Sequence, residues 1–127
     1  MTEAINHVGL KVSDYGRAKD FYIAALGTLG IKLLSEFEFD GKHYAGFGVD
    51  HPVFWIDDGA AARPGTHVAF NAASHAAVGA FYSAGLSAGG RDNGPPGIRA
   101  HYSANYYAAF VFDPDGHNIE AVCLAAG

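Results

Sequence analysis

From Asn6 to Val12 the chain alternates, with Val8, Leu10 and Val12 on one side and His7, Gly9 and Lys11 on the other. A period of two is the mark of a half-buried strand. Ser13-Asp14 then offers a helix N-cap, and Ala18, Phe21, Tyr22, Ala25 and Leu26 recur at helical spacing as one apolar face. Gly27 and Gly30 end that helix. Three short β segments are predicted next, about Ile31 to Phe39, Tyr44 to Val49 and Pro52 to Asp57, with Asp40-Gly41 as a hairpin turn.

The same plan returns further along. Sliding the chain by sixty positions lays His67-Val68-Ala69-Phe70 over His7-Val8-Gly9-Leu10, Phe81-Tyr82 over Phe21-Tyr22, and Gly90 over Gly30. Further on the offset drifts to sixty-three, with Tyr44 to Phe47 laid over Tyr107 to Phe110, and a Gly/Pro-rich loop at 89 to 97 takes up the extra length. The second copy is read as a strand from Thr66 to Asn71 and a helix from about Ser74 to Ala88 with Val78, Phe81, Tyr82 and Gly85 inward. Strands near Ile98 to Tyr102, Tyr106 to Asp113 and Asn118 to Leu124 follow, and Asp113 to Gly116 is a turn. One domain over residues 1–127 is expected, with module 1 at about 4–58, module 2 at about 65–125 and Gly59 to Gly65 between them.

Composition narrows the partners. Half the residues are apolar, enough for a real core. Thirteen Asp plus Glu against eight Lys plus Arg give a net charge of −5, which argues against nucleic acid and anionic membranes. Cys123 is the single cysteine, so no intrachain disulfide or cysteine-based zinc knuckle is expected. With no apolar run of membrane-spanning length and no basic-then-apolar leader pattern, the expected location is the cytoplasm.

Strand phase then brings chemistry together. If Val8 and Leu10 face the helix, His7 faces the other way, and by the repeat so does His67. In the last strand Ile119, Ala121 and Cys123 read as the helix side, leaving Asn118, Glu120 and Val122 with the histidines. Two imidazoles and a carboxylate, His7, His67 and Glu120, form the ligand set of a facial triad for a divalent first-row metal. The stretch from Gly97 to Tyr107 adds Arg99, His101, Tyr102, Asn105, Tyr106 and Tyr107, suited to an anionic or aromatic oxygen-bearing ligand. His101, Tyr102 and Tyr107 are the acid/base candidates, and Arg99, Tyr106 and Asn118 join Trp55 as substrate-binding candidates. His43, His51, His75 and His117 fall in or beside turns and read as solvated.

Asn6-His7-Val8-Gly9-Leu10, Phe21-Tyr22, His67-Val68-Ala69-Phe70 and above all Phe112-Asp113-Pro114-Asp115-Gly116-His117-Asn118-Ile119-Glu120 resemble the vicinal oxygen chelate superfamily of glyoxalase I, bleomycin-resistance proteins and extradiol dioxygenases. The resemblance implies an α+β fold of tandem βαβββ modules, with curved mixed sheets around a cleft and helices outside. It also implies metal ligands at His7, His67 and Glu120 and a small-molecule substrate. Iron(II), manganese, nickel and zinc are the candidate ions, and a homodimer is the expected assembly. Glyoxalase I enzymes use a fourth ligand on the last strand of the first module, and Trp55 stands in that slot. Lactoylglutathione lyase chemistry by the four-ligand route is therefore not expected. The leading expectation is a metal-dependent dioxygenase- or lyase-like enzyme acting on vicinal oxygens, and the alternative is a metal-free binding protein of the bleomycin-resistance kind.

Overall fold

The computed structural model describes residues 4–63 and 65–126. Chain order is β1 (Val8–Lys11), α1 (Tyr15–Gly27), β2 (Lys32–Phe39), β3 (Lys42–Gly48), β4 (Pro52–Asp57), β5 (His67–Asn71), α2 (His75–Ser87), β6 (Arg91–Ile98), β7 (Tyr107–Phe112) and β8 (Asn118–Cys123). Two four-stranded sheets result, in the orders β1-β4-β3-β2 and β5-β8-β7-β6. In each, the first strand runs parallel to the last and the other neighbours are antiparallel. The chain is thus two copies of one βαβββ unit, an α+β fold.

Local chemistry explains the elements. Asp14 caps α1 by accepting from the Arg17 N–H, and Ser74 does the same for α2 from Ala77. The five apolar residues expected to form the inner face of α1 are the five it buries. The β2–β3 hairpin turns on Asp40 and Gly41 with φ of 54° and 76°, the left-handed pair that a two-residue turn matching strand twist demands.

Both modules share one core. Leu10, Val12, Phe21, Tyr22, Phe47, Phe54 and Ile56 join Phe70, Val78, Phe81, Val111 and Ile119 in a single buried cluster. A fully buried Phe contributes about 1.5–3 kcal/mol relative to exposure. The Asp113–Gly116 turn also fastens module 2 to module 1. Tyr22 donates to Asp113 Oδ2 at 2.6 Å, Ser13 donates to Asp115 through both its N–H and its hydroxyl, and the His117 imidazole meets the Lys11 carbonyl at 2.8 Å. Burial, followed by the adjacent Asp113 carboxylate, pushes the Tyr22 phenol well above its ordinary range, so it stays a donor. His117 is accordingly buried and not solvated as its turn position suggested. His75 also differs from expectation, stacking on Tyr107 with ring centroids 3.8 Å apart.

The stretch 89 to 97, expected as a loop, is largely strand β6, and the strand expected from Ile98 to Tyr102 is instead the loop 99–106 between β6 and β7. Pro95 and Pro96 are tolerated because β6 is the edge of its sheet and its pairing with β7 slips on either side of Gly94.

Candidate functional site

The site lies on the face of each sheet turned away from the helices. In module 1, β1 pairs with β4 so that Gly9 stands opposite Trp55; in module 2, β5 pairs with β8 so that Ala69 stands opposite Glu120. Trp55 and Glu120 are therefore equivalent positions, as the repeat implied. The next strand corrects the alignment. Gly46 pairs with Trp55 and Phe110 with Glu120, so β3 and β7 correspond with a shift of sixty-four, not sixty-three.

One residue of register turns a side chain to the other face of a sheet. Tyr44 lies on the open face, stacked on Phe37 with centroids 4.8 Å apart. Tyr107 lies on the helix side against His75. The structure thus separates Tyr107 from Glu120.

Module 2 supplies the polar pole. Glu120 is 1% exposed, yet both its oxygens are engaged: Oε1 lies 2.7 Å from His67 Nε2, and Oε2 accepts from the Tyr106 hydroxyl at 2.5 Å. A buried carboxylate without partners would be strongly unfavourable. Burial, then the hydrogen bond to Glu120, pushes the Tyr106 phenol up to about 12, so it keeps its proton and donates. His67 is half exposed and its ring lies 6.3 Å from that of Phe110. Asn118 is partly buried and accepts from Asn93 at its amide oxygen.

Module 1 supplies an aromatic wall. A Cβ on Gly46 would sit 2.7 to 2.8 Å from Cη2, Cζ2 and Cζ3 of Trp55. Near-equal distances to three neighbouring ring atoms mean that the indole lies face-on over Gly46, where any larger residue would push the ring away. Phe37 meets the indole at 66° with centroids 5.9 Å apart and is itself 48% exposed. Trp55, Phe37, Tyr44, His7, Gly9 and Asp57 line a cavity of about 310 Å³. Both oxygens of Asp57 are taken by the Lys11 ammonium, at 3.0 and 2.9 Å.

His7 stands between the two poles. It lines the aromatic cavity and also a groove of about 400 Å³ that His67 lines from β5. His7 is exposed, and its Nδ1 lies 2.7 Å from Asn6 Oδ1. His67 and Glu120 are joined directly, whereas His7 shares a groove with His67 and makes no bond to either. Among the described residues no three His, Cys, Asp or Glu side chains converge closely enough to form a ready-made ion site.

The loop 99–106 covers the polar pole. His101 and Tyr102 are exposed on it, with rings 4.2 Å apart, and Tyr102 lies 4.9 Å from Tyr106. Arg99 spends two donors on the carbonyls of Gly97 and Pro95 and rests its guanidinium 5.3 Å from the Phe110 ring centroid. Sequence reasoning passed over Gly46 and Phe37. The signal for both was a glycine and an aromatic at open-face positions of adjacent strands.

Comparison with known proteins fits this geometry. A family model described as Glyoxalase/Bleomycin resistance protein/Dioxygenase superfamily matches residues 4–121. A glyoxalase/bleomycin resistance protein from Albidiferax ferrireducens T118 is 30% identical, over 95% of this chain and 99% of that one, with a TM-score of 0.76. A glyoxylase/bleomycin resistance protein/dioxygenase domain from Frankia sp. EAN1pec shares the fold at 20% identity and TM-score 0.72, over 97% and 98% of the two chains. Glyoxalase I from Zea mays shares it at 23% identity and TM-score 0.73, with 94% of this chain covering 45% of that one. No curated protein matches the sequence. No helix among the described residues is long and apolar enough to cross a membrane.

Proposed function

The chain belongs to the Glyoxalase/Bleomycin resistance protein/Dioxygenase superfamily, and from that premise we propose that it is a divalent-metal-dependent enzyme acting on a small substrate with two neighbouring oxygens. One observation carries this reading. A carboxylate withdrawn from water, Glu120, is joined to His67 at the groove that His7 also lines.

Two imidazoles and a carboxylate fit a first-row divalent ion in kind. His7 has its Nδ1 against Asn6, which orients Nε2 as its ligating atom, and Glu120 is steadied by Tyr106 in the manner of outer-sphere partners. His7, His67 and Glu120 would hold the ion, which would supply a Lewis acid to the neighbouring oxygens of the substrate. The chain's own groups do the rest. Trp55, Phe37 and Tyr44 form the apolar wall against which the substrate body lies, keeping water from that side. Tyr106 is no base, since it holds its proton toward Glu120. His101 and Tyr102, exposed beside it, are the groups available to exchange a proton with substrate and solvent.

A second reading, metal-free binding of an aromatic small molecule, is favoured by a different observation. The Trp55 wall is complete without an ion, and the oxygens of Glu120 are both already paired. Metal content decides between the two. Protein purified without chelator and equilibrated with Mn(II), Zn(II) or, anaerobically, Fe(II) should hold one ion per chain, in a homodimer by light scattering. Protein that binds no ion at micromolar excess and keeps its ligand affinity in His7→Ala belongs to the second reading.

A further inference from the structure

We propose that Tyr106 is a positioning residue that makes Glu120 a one-oxygen donor on the side of His67, and that Arg99 is the clasp holding Tyr106 in place. The proposal deepens the metal reading above and rests on it. A carboxylate turning about its last bond can offer either oxygen or both. Here the Tyr106 hydroxyl occupies Oε2, and Oε1 alone faces His67. The exposure of Glu120, 1%, leaves no water to do the same work.

Tyr106 is held from several sides. Its carbonyl accepts from the Arg99 N–H at 2.7 Å, its own N–H donates to Ser103, and its ring lies 4.9 Å from that of Tyr102. Arg99 closes the loop. Its guanidinium bonds the Gly97 and Pro95 carbonyls of β6, at 2.8 and 2.7 Å, and lies over Phe110, the residue paired with Glu120 across β7 and β8. With two of its five N–H donors on the backbone of β6, Arg99 fixes the geometry of the loop. Module 1 has no counterpart, because its β2–β3 turn is the two-residue Asp40-Gly41 hairpin and its Trp55 needs no orienting phenol.

The test uses Tyr106→Phe, which keeps the ring and its packing and deletes the hydroxyl. Affinity for Mn(II) and Zn(II), read by competition with a chelator, should fall about 10- to 100-fold, the usual effect of removing an outer-sphere partner. The Co(II) ligand-field spectrum should shift as well. Arg99→Met should weaken binding in the same direction, and the double variant should lose no more than Tyr106→Phe alone, because both act through one carboxylate. A Tyr106→Phe protein with a lowered Tm but unchanged metal affinity and Co(II) spectrum would overturn the proposal, since the hydroxyl would then be structural only. If the wild-type chain binds no metal, the functional reading fails and the positioning role is decided separately. The imidazole ¹⁵N shifts of His67 in the metal-free protein should move in Tyr106→Phe, and unmoved shifts overturn it.

Discussion

The two modules differ most where they correspond best. At one pair of equivalent positions module 1 sets Trp55 flat on Gly46, and module 2 sets Glu120 beside Phe110. The exchange is complementary, large over small in one and small beside large in the other, so each face is filled without disturbing the common sheet. Backbone plan and core are inherited by both modules. The open faces have parted into an apolar wall and a polar pole, with His7 between them.

Length sharpens the contrast. The Asp40-Gly41 turn of module 1 becomes the loop 99–106 in module 2, and that loop brings Tyr106 to Glu120, with Tyr102 packed beside Tyr106. Loops accept such growth at little cost to the scaffold.

The comparison assumes one core beneath two faces, and breaking that core should give the largest effect. Phe21→Ala empties the centre of the cluster shared by both modules and should cost about 3–5 kcal/mol. Urea unfolding followed by Trp55 fluorescence and by far-UV circular dichroism should show one coincident transition at lower midpoint. Two separate transitions would mean that the modules are independent.

Next in size is the polar pole. Glu120→Gln keeps the shape and removes the charge, and metal affinity should fall by about 100-fold or more, roughly 2.7 kcal/mol, with little change in Tm. Trp55→Leu should do the reverse. Affinity for a flat aromatic probe such as naphthalene-2,3-diol, followed by calorimetry, should fall about tenfold while metal affinity stays within about twofold. An equal loss of both in either variant would erase the division of labour between the modules.

The smallest effect concerns His43, which anchors β3 in module 1. Its ring lies 2.9 Å from Asp58 and 3.5 Å from Glu38, and stacks on Tyr15. The hydrogen bond to Asp58, the largest contribution, raises its pKa in the folded protein above the ordinary 6.5. A raised folded value gives stability that is fully present below about pH 6.5 and is lost as pH rises through the folded pKa. Screening at this exposed site keeps the effect small. The Tm of wild type should decline slightly more than that of His43→Gln between pH 6 and 8, and parallel profiles would contradict this.

Much of this was legible in the chain, and the limits are instructive. The period-two strand and the helical face of α1 could be read because each depends on neighbours only a few residues away. The equivalence of Trp55 and Glu120 followed from the repeat. What escaped depended on distant partners. Gly94-Pro95-Pro96-Gly97 has the composition of a loop, and only its place at a sheet edge lets it pair. The drift of the repeat was misjudged by one residue, and Tyr107, grouped by composition with the rest of the stretch from Gly97, turns instead to the helix side against His75. His117 looked like a turn residue because its partner, the Lys11 carbonyl, lies 106 residues away.

The account stands most directly on a metal titration of four proteins: wild type, His7→Ala, His67→Ala and Glu120→Gln. The prediction is one divalent ion per wild-type chain, with binding lost in His67→Ala, weakened about 100-fold or more in Glu120→Gln and weakened less in His7→Ala. A wild-type chain that takes up no ion, or a Glu120→Gln chain that binds as tightly as wild type, would contradict it.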